Sequence, residues 1–277
     1  MLTQRVLTAV ALLAVLLGAL AWSTTAFMAL VTLIISIALA EWLQLLGWGR
    51  GASTAFSAAV GLSLFALDFY LPSAIEVSVL PLAALATFAW VLIAVALIRP
   101  GGAQRLQLAP AAAMSLGLVL IIAAWIALIH FLHQSSARLL SVLVVVWIAD
   151  TAAYFAGRAF GRRKLAPLIS PGKTWAGVYG AVLSVLAISI ACWWLFPTLP
   201  FFSNRLLEGL GVVPASLLLA TVVALSIVGD LYESLLKRRA GVKDSSQLLP
   251  GHGGVYDRID ALVPALPAAA LFEHIAR

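Results

Sequence analysis

The chain has 277 residues, of which 63% are hydrophobic and only 10% are charged. A soluble domain is usually about a quarter charged, so this composition leaves too little polar surface to cover a water-soluble globule. The formal net charge is +6. Because the basic residues lie between apolar segments, we interpret this charge as a determinant of membrane orientation and expect no nucleic-acid partner. A single cysteine, Cys192, excludes an intrachain disulfide.

Nine apolar segments are long enough to form membrane-spanning helices, each of which needs about 20 residues. The first resembles a secretory signal peptide ending at Ala19-Leu20-Ala21, but the long apolar segment directly after it favours a retained span. The sequence therefore predicts an all-α, polytopic integral membrane protein of about nine transmembrane helices. In chain order, the segments cover residues 6–21, 25–46, 52–70, 77–98, 111–132, 138–157, 174–196, 211–230 and 258–275.

The distribution of basic residues predicts the orientation of these helices. With nine spans, all of the 17 Lys and Arg residues except Arg138, Arg205 and Arg277 fall on one side. The positive-inside rule places this side in the cytoplasm, and the N-terminus with it. The two long polar connections, 158–173 and about 231–257, lie on the same side.

The chemically informative residues are concentrated in the second half of the chain. We therefore expect one integrated membrane domain whose two halves have different roles. Residues 1–135 would form transmembrane helices that act as a scaffold and face the lipid. Residues 136–277 would form the transmembrane helices that carry the catalytic loops on the cytoplasmic side.

Carboxylates within or at the ends of spans are costly in lipid and are candidates for function. Asp150 lies inside the sixth segment, Asp230 closes the eighth, and Asp257 and Asp260 open the ninth. For Asp150 alone, a polar contact between helices is an equally good interpretation. If the last two spans are neighbours, Asp230 and Asp257 can meet. Hard oxygen ligands of this kind suit Mg²⁺, which binds through one or two carboxylates and substrate phosphates.

Three further features are typical of phosphate binding. Asp230, Glu233, Ser234 and Lys237 share one helical face. The glycines within Pro250-Gly251-His252-Gly253-Gly254 allow close approach of backbone N–H groups to an anion. Five cations follow the sixth span, and of these Lys173 begins the seventh, where a helix N-terminus favours phosphate. For the remaining four, membrane anchoring is an equally good explanation. They are Arg158, Arg162, Arg163 and Lys164.

At these positions the chain resembles the phosphatidate cytidylyltransferases, also called CDP-diglyceride synthetases. The resemblance rests on a long, ordered motif in the last quarter of the chain. Its matching segments are Ser234-Leu235-Leu236-Lys237-Arg238, Lys243-Asp244-Ser245, Leu249-Pro250-Gly251-His252-Gly253-Gly254 and Asp257-Arg258-Ile259-Asp260. Upstream segments that also resemble the family are Asp150-Thr151-Ala152-Ala153-Tyr154, Gly157-Arg158 and Ser170-Pro171-Gly172-Lys173-Thr174.

The resemblance implies an enzyme that converts CTP and phosphatidic acid into CDP-diacylglycerol and pyrophosphate. It also implies that Asp230 and Asp257 bind the metal, with Mg²⁺ as cofactor and K⁺ as a candidate second cation. The expected location is the bacterial inner membrane, with the active site facing the cytoplasm and the bilayer as a partner. A homodimer is the candidate assembly. One departure is visible, since Ala176 stands where many members carry Glu, which leaves no carboxylate to act there.

From these patterns and the resemblance together we assign the site residues. Lys237, Lys243 and Arg258 are expected to contact phosphates, and His252 to move a proton or donate a hydrogen bond. The catalytic set is Asp230, Lys237, Lys243, Asp244, His252, Asp257, Arg258 and Asp260. The substrate-binding set is Asp150, Arg158, Ser170, Lys173, Thr174, Ser234, Arg238, Gly253 and Gly254.

Three other functions compete with this assignment. A transporter for an anionic substrate would explain charges at membrane depth, although the two halves show no repeat and the polar residues cluster at one face. A related transferase acting on another lipid phosphate, such as an isoprenoid-ether lipid, would need the same chemistry. A structural scaffold gives no reason for Asp230, His252, Asp257 and Asp260 together.

Overall fold

Helices form nearly all of the computed structural model, which describes residues 2–99 and 106–277. The first half contains α1 (Leu2–Trp22), α2 (Thr24–Leu45), α3 (Arg50–Tyr70), α4 (Pro72–Ile98) and α5 (Pro110–Gln134). The second half contains α6 (Ser136–Phe160), β1 (Lys164–Ala166), β2 (Ser170–Thr174), α7 (Trp175–Leu195), α8 (Phe202–Leu210), α9 (Val212–Arg239), α10 (Tyr256–Ile259) and α11 (Leu262–Ile275).

Seven of the described helices, α2 to α7 and α9, are long and apolar enough to cross a membrane. In lipid a helix satisfies its own backbone hydrogen bonds, which is why such apolar segments become helices. The protein is thus an all-α, polytopic integral membrane protein, as predicted. In α1 the apolar stretch is the shorter Leu7–Trp22, and α11 has 14 residues. The count of nine spans, the cytoplasmic N-terminus and the division into scaffold and catalytic halves stay predictions.

Several helices begin where local sequence signals place them. Pro72 and Pro110 occupy the first position of α4 and α5, where a missing N–H costs nothing. Ser135 caps α6, since its hydroxyl accepts a hydrogen bond from the backbone N–H of Arg138 at 3.1 Å. Thr174 caps α7 in the same way and accepts from Gly177 at 3.2 Å. These caps fix the start of both helices that flank the polar connection.

The connection between α6 and α7, expected to be a polar loop, contains a short hairpin. Strands β1 and β2 pair antiparallel, with Lys164 opposite Thr174 and Ala166 opposite Ser170. The hairpin folds the connection back on itself, so β2 leads directly into α7. Another element that the sequence analysis did not predict is α8, a helix of nine residues before α9.

The ninth apolar segment was predicted as one helix over 258–275 and is broken instead. The short helix α10 ends at Ile259 and α11 begins at Leu262. Pro264 explains the break, because proline cannot donate a hydrogen bond to the carbonyl four residues earlier, which belongs to Asp260, and its ring crowds that carbonyl. The backbone at Asp260 instead lies against Gly229 of α9, where a Cβ atom would overlap the Asp260 carbonyl oxygen and Pro264. This contact brings α9 and the break together.

A polar network lies at the other end of the bundle. It joins the C-terminal end of α5 to the beginnings of α4 and α6 and to the C-terminal end of α11. His130 Nδ1 lies 2.9 Å from Glu76 Oε2, and an Arg138 guanidinium nitrogen lies 3.0 Å from Glu273 Oε1. Polar contacts of this kind connect helices.

Candidate active site

A polar cavity of about 720 Å³ lies where α6, α9 and α10 meet the hairpin and the beginning of α7. Eleven of the predicted site residues line it, drawn from segments that are far apart in sequence. The structure therefore brings most of the predicted site together. These residues are Asp150, Arg158, Ser170, Lys173, Thr174, Asp230, Lys237, Asp244, Asp257, Arg258 and Asp260.

Three carboxylates of this cavity form a compact acidic cluster. Asp230, Glu233 and Asp260 each offer an oxygen, and these oxygens all lie within 4.8 Å of one another. One turn of α9 separates the first two, and the break between α10 and α11 supplies the third. Within residues 2–99 and 106–277, this is the group of three that could hold a metal ion. Asp257, predicted as a ligand beside Asp230, is not a member of this group.

Two lysines neutralise part of the acidic cluster. Lys173 Nζ lies 2.6 Å from Asp230 Oδ2. Lys237 Nζ lies 2.6 Å from Glu233 Oε2 and 2.6 Å from Asp257 Oδ1. Four carboxylates thus surround two ammonium groups, and like charges at this spacing are costly unless protons or a cation compensate them. Hard oxygen donors beside a polar cavity fit Mg²⁺.

The oxygens of Asp257 are used to hold the loop that precedes α10. Its Oδ2 accepts hydrogen bonds from the backbone N–H and the hydroxyl of Ser245, both at 2.9 Å, and from the N–H of Gly254 at 2.7 Å. Burial alone would raise the pKa of Asp257, but the neighbouring Glu233 carboxyl, the hydrogen bond from Lys237 and those from the backbone N–H groups hold its pKa below the usual range. Asp257 is therefore a charged anchor of the loop, and its role as a metal ligand stays a prediction.

A second buried carboxylate, Glu41 of α2, holds the same loop from the other side. Its Oε1 accepts from the hydroxyl of Ser246 at 2.6 Å and from the N–H of Val255 at 3.0 Å. Its Oε2 accepts from the N–H of Tyr256 at 2.7 Å and shares with Asp257 Oδ2 the single hydrogen of the Ser245 hydroxyl, which lies 2.9 Å away. Glu41 is 3% exposed, so these four donors replace water around its charge. It also supplies a negative charge at the N-terminus of α10.

The glycine-rich loop borders a second polar cavity of about 600 Å³. Lys243, His252 and Gly253 line this cavity, whereas Asp244 and Arg258 line both. The predicted site is thus divided into two adjoining compartments. Arg258 lies between them, and one of its guanidinium nitrogens donates to the carbonyl of His252 at 2.6 Å.

Three predicted binding residues line neither cavity in the part of the chain that the structure describes. Ser234 donates to Asp230 Oδ1 at 3.4 Å, so it supports the acidic cluster. Gly254 is a buried residue of the loop, and its N–H donates a hydrogen bond to Asp257. Arg238 is exposed near the C-terminal end of α9.

Glu233 and Glu41 were not among the predicted site residues. A signal was present for both. Glu233 shares the helical face of Asp230 and Lys237, and Glu41 is a carboxylate inside the second predicted span, which marks a functional candidate.

Comparison with known proteins identifies the family of the chain. The profile of the cytidylyltransferase family matches residues 3–276. A phosphatidate cytidylyltransferase of Pseudomonas aeruginosa is 40% identical over 281 residues, 98% of this chain and 96% of that protein. One of Haemophilus influenzae is 47% identical over 146 residues, 52% of this chain and 49% of its own length. One of Brucella suis is 47% identical over 131 residues, 47% of this chain and 44% of its own.

The family match extends over nearly the whole chain, including every segment that contributes to the polar cavity. The relative from Pseudomonas aeruginosa is matched over almost its full length as well. The resemblance seen in the motif is therefore confirmed. The chain belongs to the cytidylyltransferase family and is a nucleotidyltransferase of the membrane.

Proposed function

We propose that this enzyme transfers the cytidylyl group of CTP to phosphatidic acid, yielding CDP-diacylglycerol and pyrophosphate for phospholipid biosynthesis. The observation that carries the proposal is the acidic cluster flanked by Lys173 and Lys237, in a cavity at the helix ends of a membrane bundle. A lipid headgroup can reach this position while its acyl chains stay among the helices. The names of the similar proteins support the same reaction.

The reaction is an in-line displacement at the α-phosphorus of CTP. A phosphate oxygen of phosphatidic acid forms the new P–O bond, and the bond between the α-phosphorus and the oxygen bridging to the β-phosphorus breaks. Pyrophosphate leaves with the electron pair. The nucleophile needs no general base, because the second pKa of a phosphate monoester is near 6 and the group is largely ionised at pH 7.

Bringing two polyanions together makes charge neutralisation and positioning the main tasks of the protein. Lys173 and Lys237 supply positive charge beside the carboxylates, and Arg158 and Arg258 line the same cavity, where guanidinium groups can clamp phosphate oxygens. Asp257 and Glu41 keep the loop in place. His252 lies in the adjoining compartment, where it would donate a hydrogen bond to a phosphate or move a proton.

Asp230, Glu233 and Asp260 are the residues that would hold Mg²⁺. When bound, this ion would offset charge on the reacting phosphates and on the leaving pyrophosphate. Asp257 is the alternative ligand that the sequence predicts, and K⁺ is the candidate second cation. We also propose a bacterial inner-membrane location, an active site facing the cytoplasm and assembly as a homodimer.

The test uses purified protein in detergent micelles with phosphatidic acid, Mg²⁺ and labelled CTP. We expect equal amounts of CDP-diacylglycerol and pyrophosphate to form, and formation to stop when Mg²⁺ is chelated. Folded protein that turns over no lipid phosphate would contradict the proposal. Uptake of an anionic substrate into vesicles without nucleotide turnover would then identify a transporter. Turnover only with another lipid phosphate would identify the related transferase.

Gly254→Ala is expected to lower turnover about 100-fold, since displacements of about 1 Å in an active site can have effects of this size. The added Cβ would overlap the hydroxyl of Ser245 and Glu41 Oε2, so the loop must shift. The rate of CDP-diacylglycerol formation measures the effect. Gly51→Ala is the control, because a Cβ there meets nothing within 4 Å. Equal rates for the two variants would show that the loop tolerates the displacement.

A further inference from the structure

An apolar cavity of about 500 Å³ lies next to the polar cavity, on the other side of α10. Helices α1, α2, α5, α6 and α11 enclose it, and its volume is in the range of ligand pockets, about 300–1,000 Å³. Its walls are mostly apolar side chains, whereas many of the residues that line the polar cavity are charged. Representative wall residues are Leu12 and Leu16 of α1, Leu30 and Ile34 of α2, Trp147 of α6 and Leu266 of α11.

The segment formed by α10 and the start of α11 separates the two cavities. Asp257 and Asp260 line the polar cavity, whereas Ile259 and Leu262 line the apolar cavity. A helical repeat of 3.6 residues places the two acids on one side and the two apolar residues on the other. The partition is therefore amphipathic, with the acidic cluster on one face and hydrocarbon on the other.

Arg258 lies in the walls of both cavities. Its guanidinium has five N–H donors, and the His252 carbonyl accepts one of them. The His252 side chain also lines the apolar cavity. A cationic group at the junction of a polar space and a hydrocarbon-lined space is complementary to one class of molecule, a phosphate that carries an acyl chain.

We propose that the apolar cavity binds an acyl chain of the lipid phosphate substrate, with Arg258 contacting the phosphate at the junction. This inference rests on the proposed function and adds the position of the hydrocarbon tail. The phosphate lies in the polar cavity, and the glycerol backbone crosses beside Arg258. One chain extends between α1 and α2, while the bilayer accommodates the other.

The inference is tested with two tryptophan variants on neighbouring positions of α2. Ile34 lines the apolar cavity, whereas Leu33 is 57% exposed on the outer surface of the helix. Ile34→Trp is expected to raise the KM for dioleoyl phosphatidic acid at least about tenfold, the size of effect that a misfit in an apolar pocket produces. The KM for dihexanoyl phosphatidic acid, whose short chains are expected to end before Ile34, and the KM for CTP are expected to stay unchanged.

The matched control is Leu33→Trp, which adds the same ring to the outer surface of α2. We expect this variant to behave as wild type with both lipids. An equal change in KM for the two variants, or an equal change for the two lipids, overturns the inference. Absence of turnover by wild type with either lipid contradicts the proposed function instead, so the two failures are distinguishable.

Photolabelling of the wild type gives a second result that is independent of how the variants fold. The probe is phosphatidic acid with a diazirine near the end of one acyl chain, incubated with the protein in micelles. Labelled peptides are expected from α1 and α2, within 9–16 and 30–35. Labels confined to the exposed surface of α7, around Tyr179 and Leu183, would overturn the inference.

Discussion

Asp260→Asn is expected to reduce turnover about 1000-fold, as is typical when a group that offsets charge in the transition state is lost. The amide keeps the shape of the side chain but removes one of the three carboxyl groups from the acidic cluster. The residual activity is expected to need much more Mg²⁺ for half-maximal rate. The measurement is the rate of CDP-diacylglycerol formation as a function of Mg²⁺ concentration.

Asp257→Asn is the matched comparison, because it is the same substitution on the same short segment. Its oxygens bind Lys237, Ser245 and Gly254, so we expect a lower rate with an unchanged Mg²⁺ requirement. The reverse result, a shifted Mg²⁺ requirement in Asp257→Asn alone, would favour the ligand pair that the sequence predicts, Asp230 and Asp257. The two variants therefore decide between the two ligand sets.

Glu41→Gln is expected to lower turnover about 100-fold and to destabilise the protein by about 1.5–3 kcal/mol, the usual range for hydrogen bonds to a charged group. Glutamine offers one acceptor oxygen, so two of the four donors around Glu41 would face an NH₂ group. The rate of CDP-diacylglycerol formation and the thermal unfolding temperature in detergent measure the two effects. Faster proteolysis within 240–255 would locate the disturbance in the loop.

Glu76→Gln is the control for this variant, since it removes a carboxylate charge at the other end of the bundle. It breaks the contact with His130 but touches no residue of the polar cavity. We expect a lower unfolding temperature without a comparable fall in turnover. If both variants lose activity in proportion to stability, Glu41 has no specific role in positioning the loop.

The helices could be predicted from the sequence because their cause is local. An apolar run of sufficient length must satisfy its backbone in lipid, and signals such as Pro72, Pro110 and Ser135 mark where a helix begins. The break at Asp260 was also encoded locally, by Pro264, but the apolar pattern continues across it. Hydrophobicity alone therefore predicted one continuous helix over 258–275.

The sequence predicted which residues belong to the site better than it predicted which of them contact one another. Asp230, Lys237, Asp257 and Asp260 were all expected near one another, because their spacing places them on helical faces beside the same loop. Which aspartate meets Asp230 depends on the crossing of α9 and α11 at Gly229, and that is a tertiary property. Glu41 shows the same limit, since its four partners lie more than 200 residues further along the chain.

This separation has a consequence for the biogenesis of the enzyme. The second helix, α2, is made early, but the groups that Glu41 holds are made near the end of synthesis. A chain that has inserted only its earlier helices still lacks the loop and α10. These two segments contribute Asp244, Asp257 and Arg258 to the walls of the polar cavity. We therefore expect activity only after the last helices have joined the bundle. Two separately expressed fragments divided between α5 and α6 should be inactive alone and regain turnover when they are produced in the same cell.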